Sequence, residues 1–239
     1  MAKTGTHTLA ALFSHSLRAA HEPDAEALMN LVLSLHEGRL RRPGFVQLVA
    51  RLFDRMHLEL NVSQLNGVIV DTLIELYPGA KFILTWRDCE SWARSFINHQ
   101  LTRALAPGSA WAAFRDLRFR PAEHPHRSQD RALAERGLYA LGAYSSYWVG
   151  HNRRVLAAIP AAQLLIVPTD RLQHDVRRMG EFMGIDTAAV HGTQFEGQFE
   201  GVYIASPLDA LDPVYVAAEM AAGLNQLRAE FGDRIPSLT

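Results

Sequence analysis

Only two of the 24 basic side chains are lysines, Lys3 and Lys81, and one of them opens the run Lys3-Thr4-Gly5-Thr6-His7-Thr8. A short loop with one glycine and several hydroxyls, placed before a helix, can wrap an anion with backbone N–H groups while a lysine supplies a point charge. The run is not a Walker A loop, because G-x-x-x-x-G-K-[ST] is absent. A second candidate is Arg87, which directly follows the apolar run Lys81–Trp86 and precedes Asp88. A guanidinium at the end of a buried strand and beside a helix start is a bidentate anion receptor. The same pair can also serve simply as a helix-capping Arg–Asp pair. Further chemistry-bearing types fall at predicted strand ends: His21-Glu22, Asn61 to Ser63, and Thr169-Asp170.

These residues need elements to position them. Residues 7–18 follow a helical apolar stripe, and 18–22 form a short segment that ends at Pro23. A helix is predicted over 24–36 from an Asp24 N-cap, with helical period again over 45–56. Residues 57–62 alternate as a half-buried strand does, and Ser63 is placed to cap a helix over 64–76. The runs 81–86 and 163–168 are nearly continuous apolar stretches, as in fully covered parallel strands. Asp88 caps a helix to about 101–105, and residues 106–130, rich in Pro, Arg and His, read as an irregular excursion. A long helix is expected over 130–158, another over 171–184 stopped by Gly184, and a last one over 213–231. The stretch 191–204 has no decisive pattern.

Strands separated by helices, without hairpin signals, predict an α/β sheet with right-handed crossovers. Ligands of such sheets bind beyond the carboxyl ends of the strands, where the candidates above fall. With 239 residues and 48% hydrophobic content the chain can bury a core, and no linker divides it, so one domain is expected over 1–239.

A net charge of −1 provides no global field for nucleic acid or acidic membranes, so an anion site must be built locally. The single cysteine, Cys89, excludes an intrachain disulfide framework and fits a reducing, cytoplasmic setting. No run reaches the ~18 apolar residues of a spanning helix, and no signal region opens the chain.

The run KTGTHTL near the start and YPGAKFILTWRDCESWARSF at 77–96 together resemble the sulfotransferases that use 3′-phosphoadenosine 5′-phosphosulfate (PAPS). The segment PTDRL followed by MGEFMGI, within 168–185, is similar to that family's later strand and helix. There the family commonly has Tyr-Glu-Asp-Leu, where this chain has Thr169-Asp170-Arg171-Leu172. The resemblance implies a P-loop NTPase-like fold, a three-layer arrangement of parallel sheet and flanking helices. It also implies transfer of a sulfuryl group to a hydroxyl or amine of a small molecule or glycan, with PAPS as co-substrate and no metal.

Carried over by position, Lys3, Thr4, Gly5, Thr6, His7 and Thr8 would hold the 5′-phosphosulfate. Lys3 would neutralise charge on the leaving oxygen. Arg87 and Ser95, eight positions apart, would bind the 3′-phosphate. Some branches of the family place a glutamate near Glu22 as general base, and His21 is its neighbour and rival. In an extended segment the two side chains point to opposite faces, so only one of them faces the donor. The family's loop follows a central strand, and only Met1-Ala2 precede Lys3, so the first strand is expected either to lie upstream of this sequence, the preferred reading, or to be replaced by another segment. Residues 106–130 would shape the acceptor pocket. A nucleotide kinase and a non-catalytic nucleotide-binding protein are the competing functional readings. The first lacks the Gly-Lys-Ser/Thr element and a clear Mg²⁺-binding Asp after a strand. His99, His124 and His126, and the four tryptophans, read as surface or packing residues.

Overall fold

The computed structural model describes residues 1–185, 204 and 206–236. The chain resolves into two compact units, Met1–Trp86 with Arg154–Glu200, and Arg87–Arg153 with Gly201–Thr239.

The first unit holds every strand found among the described residues. β1 (Ala19–His21) pairs in parallel with β2 (Leu60–Val62), and β3 (Phe82–Trp86) pairs in parallel with β4 (Leu164–Pro168). The register sets Ala20 opposite Asn61 and Leu84 opposite Ile166. The expectation of one parallel sheet is corrected here: the described strands form two separate two-stranded sheets. β1 and β2 are only three residues long, so each offers little ladder for a further strand to join. What unites the unit is a shared apolar core. α1 (Thr6–Phe13) contributes Leu9, Leu12 and Phe13, β2 contributes Val62, and β4 contributes Leu165 and Val167. α9 (Val176–Met183) closes the cluster with Val176 and Met179. Burying side chains of this size stabilises by roughly 1.5–3 kcal/mol each.

α2 (Ala25–His36) and α3 (Arg42–Met56) pack on each other in this unit, and Pro43 sits in the first turn of α3, where its missing N–H costs nothing. Asp24 stands at the N-cap of α2, yet it adopts φ 48° and caps nothing. Its carboxylate instead accepts from Arg55 at 3.1 Å. The helix expected over 64–76 begins only at Val70, as α4 (Val70–Leu76), because residues 63–69 turn to meet Glu22 and Asn61. α9 ends as the sequence implies, with Gly184 at φ 81°.

In the second unit, α5 (Cys89–Thr102) starts at Asp88, whose Oδ1 accepts from Ser91 N at 2.8 Å. The excursion at 106–130 is also corrected: it contains a regular helix, α6 (Ala110–Phe119), capped by Ser109 and burying Phe114 and Phe119. The flanking Arg, His and Pro residues masked that periodicity. Arg118 explains part of the disguise, since its guanidinium lies 4.5 Å from the centre of the Phe114 ring and so packs despite its charge. The long helix expected over 130–158 is two elements, α7 (Arg131–Ala134) and α8 (Leu141–Ala158). Gly137, at φ 64°, makes the break between them. Asp130, 1% exposed, accepts from Arg127 N, Leu141 N and the Tyr215 hydroxyl. That one carboxylate joins the end of the excursion to the start of α8 and to α10 (Pro213–Phe231). Apart from Ile204, the stretch 191–204 lies outside the described residues. No helix among the described residues is long and apolar enough to cross a membrane.

Candidate active site

The loop Lys3–Thr8 is anchored by the residue at its heart. Thr4 is fully buried, its hydroxyl lies 2.7 Å from that of Thr85 on β3, and it donates to Met1 O at 2.8 Å. Thr169, just after β4, donates from its hydroxyl toward Thr4 O and Trp86 O, at 3.2 and 3.0 Å. The loop is thereby lashed to the carboxyl ends of both strands of one sheet. Lys3 and Gly5 flank Thr4 in left-handed conformations, φ 64° and φ 80°. Gly5 has a second reason to be glycine. A Cβ there would collide with Leu172 Cδ1 and stand 3.2 Å from Thr169 Cγ2. Gly5 is the N-cap of α1, and no side chain caps that terminus. The loop thus brings a helix N-terminus, with its donor groups and positive dipole end, to the place where such sheets bind ligands.

β1 delivers the next residues to the same neighbourhood. His21 Nε2 lies 3.0 Å from Thr6 Oγ1, and its ring stacks on that of His7 with centroids 3.5 Å apart and planes at 27°. Burial pushes the His21 pKa below its ordinary value, the nearby His7 pushes it the same way, and Glu22 opposes both. A neutral imidazole stacked on a second one suits proton acceptance.

Glu22 follows at φ 51°, its N–H bonded to Val62 O at 2.9 Å. The turn directs its carboxylate to the end of β2, where Oε2 accepts from Ser63 Oγ at 2.6 Å and Oε1 accepts from Gln64 N at 2.8 Å. Ser63 in turn accepts from Leu65 N at 3.1 Å. Glu22 is therefore a cap on the 63–69 turn as well as a candidate base, and each of its oxygens keeps acceptor capacity. His21 is engaged by α1 and Glu22 by the end of β2; because β1 stops at His21 and Glu22 turns at φ 51°, the alternation expected of an extended segment does not govern the pair.

The remaining two candidates belong to the second unit. Arg87 is half-buried; its Nε donates to Ser91 Oγ at 3.0 Å, and its carbonyl accepts from Trp148 Nε1 at 3.0 Å. Ser91 also donates to Asp88 Oδ2. Burial lowers the Arg87 pKa from its ordinary value, with Asp88 opposing, and the group remains a cation at neutral pH. Ser95 lies one turn beyond Ser91 on α5 and is half-buried.

Two residues with roles in this architecture were not singled out from sequence, Thr85 and Ser91, whereas Thr169 stood among the strand-end candidates and Trp148 among the packing tryptophans. Thr85 sits inside an apolar run, where a lone threonine reads as a strand former. Ser91 had a faint signal in its position, five residues after the end of β3. Among the described residues, no group of three or more His, Cys, Asp or Glu side chains is placed to hold a metal ion.

Comparison with known proteins matches residues 1–187 to the family model described as sulfotransferase domain. No curated protein matches the chain. The match begins ahead of the Lys3–Thr8 loop, and it runs past β3, Arg87 and β4 to the end of α9. Covering well over half of the sequence, it places this chain in the sulfotransferase domain family.

Proposed function

We propose that the protein transfers a sulfuryl group from PAPS to a hydroxyl or amine of a small molecule or glycan, on a P-loop-like α/β fold. The observation that carries this reading is the loop itself. Gly5 leaves no room for a Cβ, the buried Thr4 fixes the backbone, and the uncapped start of α1 lies over the carboxyl ends of β3 and β4. The fixed backbone and the helix N-terminus suit a phosphosulfate, which needs N–H donors more than side-chain bulk, while Gly5 lets the loop pack on Leu172 and Thr169. Bound PAPS supplies the activated sulfuryl group.

In this reading the backbone of Thr4 to Thr8 and the hydroxyls of Thr6 and Thr8 cradle the 5′-phosphosulfate, with His7 at the rim. The Thr4 hydroxyl is spent on Thr85, so Thr4 contributes through its backbone. Lys3 neutralises the negative charge left on the bridging oxygen as its bond to sulfur breaks. Glu22, or His21 in its place, takes the proton from the acceptor as the new bond to sulfur forms. Sulfuryl transfer of this kind rests on in-line positioning and charge stabilisation, as phosphoryl transfer does. Arg87 and Ser95 bind the 3′-phosphate, which ATP, ADP and AMP lack.

Calorimetric titration with adenosine 3′,5′-bisphosphate, beside ADP and AMP, tests the reading. The 3′,5′-compound is expected to bind at least ~10-fold tighter, about 1.4 kcal/mol. Arg87→Ala should weaken that compound far more than AMP. Equal affinities for all three nucleotides, or Mg²⁺-dependent ATP turnover, would overturn the reading in favour of a phosphotransferase.

A further inference from the structure

The second unit contains a cleft of about 380 Å³ that none of the roles above uses. Its floor is α8 and α10, contributing Gly142, Ser145, Ser146 and Gly150 from the one and Ala222, Gly223 and Gln226 from the other. The floor is deep because the two helices meet at small residues. A Cβ on Gly223 would stand 2.6 Å from Val149 Cγ2 and 3.2 Å from Ser145 Oγ. Little rises from the floor, and a Cβ on Gly150 would meet no atom within 4 Å.

The rim carries three arginines, each held by a glutamate. Arg120 leaves the end of α6 at φ 46° and reaches across to Ser146 Oγ at 3.1 Å, while its other Nη holds Glu123 at 2.8 Å. Arg127 bonds Glu219 at 3.1 Å, and Arg153 forms a two-pronged pair with Glu230, Nε to Oε2 and Nη2 to Oε1 both at 2.8 Å. Three guanidinium groups thus line the cleft, each in an ion pair with a glutamate, of which Glu219 alone belongs to the lining. His124 joins them, and its Nε2 is buried with no hydrogen-bond partner among the described residues.

We propose that this cleft binds a polyhydroxylated ligand bearing two or more oxyanion groups, of the size of a disaccharide. The volume lies in the range of small-molecule sites and exceeds what a single inorganic anion fills. Apart from Val149, Ala222 and three glycines the lining is polar, so an apolar ligand would cover the guanidinium groups, the serines and Gln226 without offering them hydrogen bonds. The arginines are available for exchange, because their ion pairs are solvent-exposed and such pairs contribute only about 0–1 kcal/mol each. A planar guanidinium accepts sulfate or carboxylate in the same bidentate geometry that it now offers to glutamate. Ser145, Ser146 and Gln226 match ligand hydroxyls, and the buried His124 Nε2 gains the partner it lacks. This inference rests on the second unit alone and does not need the PAPS reading.

The test is calorimetric titration of the full chain with sucrose octasulfate and with digalacturonic acid, which separate a sulfate-bearing from a carboxylate-bearing ligand. Unsulfated sucrose serves as control. Gly150→Leu fills the floor while leaving every charge in place, and it improves helix propensity, so it should fold. Arg120→Gln removes one rim cation. Arg177→Gln removes an exposed arginine of the other unit, 81% of whose side chain is open to solvent. At least one probe is expected to bind, with affinity lost ~10-fold or more in Gly150→Leu and in Arg120→Gln and changed less than ~2-fold in Arg177→Gln, ratios that correspond to about 1.4 and 0.4 kcal/mol. Binding of neither probe, equal losses in the two arginine variants, or unchanged binding in Gly150→Leu would overturn the assignment. The last outcome would mean general attraction to positive charge, or binding at the Lys3–Thr8 loop.

Discussion

The hydroxyls of Thr4 and Thr85 lie 2.7 Å apart, joining the N-terminal loop to a strand 81 positions away in sequence. Both side chains are buried, 0% and 5% exposed, so neither hydroxyl can trade this bond for one to water. Thr85→Val keeps the branched shape and removes one hydroxyl, leaving Thr4 with only Met1 O. The expected cost is about 1–2 kcal/mol, the penalty of an under-satisfied buried polar group. For a chain of this length that is a fall in Tm of roughly 2–8 °C. Because Thr4 sets the backbone of the loop, adenosine 3′,5′-bisphosphate affinity should fall together with Tm. A Tm loss with unchanged nucleotide affinity would show that the anchor serves the core and not the loop.

The contrast between Thr4 and its partner shows what the sequence disclosed. Lys3 to Thr8 could be read as a loop leading into a helix because the signal is local: a glycine and hydroxyls before a helical stripe. Likewise the strands 82–86 and 164–168 and the caps at Asp88 and Gly184 were legible, since continuous apolar runs and capping residues act over a few positions. The register of β3 on β4, and with it the Thr85 contact, depends on chain segments about 80 residues apart, which no local pattern encodes. α6 was hidden for a different reason. Its buried face is carried by Phe114 and Phe119 while Arg115 and Arg118 interrupt the stripe, and the Arg118 packing that makes this acceptable is a tertiary contact. Asp24 was misread because its cap signature is real in type, but the left-handed turn between β1 and α2 points the carboxylate toward Arg55 instead.

His21 and His7 stack two imidazoles at the loop, so the proposed anion binding would be coupled to protons. The pKa of His21 is lowered chiefly by burial, then by His7, against the opposing Glu22. A folded-state pKa below the unfolded value means that the unfolded chain binds more protons around pH 5–7. His21 therefore contributes stability that is present above its unfolded pKa of about 6.5 and is lost as pH falls through the lower folded value. A phosphosulfate or phosphate at the loop favours the charged imidazole and raises that pKa, so binding takes up a proton. Titration with adenosine 3′,5′-bisphosphate in two buffers of different ionisation enthalpy, at about pH 6.5, should show net proton uptake. His21→Asn should reduce it, and a wild-type uptake indistinguishable from the variant's would remove His21 from the anion site.

Glu22 is claimed by two roles, and one substitution separates them. As a cap it accepts from Ser63 Oγ and Gln64 N; as the proposed base it would take a proton from the acceptor. Glu22→Gln preserves the first role. The new amide oxygen can accept from Gln64 N while the amide N–H donates to Ser63 Oγ, whose hydroxyl can reorient. Tm should therefore change by less than about 2 °C, corresponding to well under 1 kcal/mol. The second role cannot survive, since an amide has no useful basicity near neutral pH, and turnover should fall about 10²–10⁴-fold with nucleotide affinity retained. Glu22→Ala should lose both, because Gln64 N is left without its acceptor and the 63–69 turn without its cap, at about 1–3 kcal/mol. Full turnover in Glu22→Gln with instability in Glu22→Ala would make Glu22 a cap alone. The proton would then go to His21, whose Nε2 already lies 3.0 Å from the Thr6 hydroxyl of the loop.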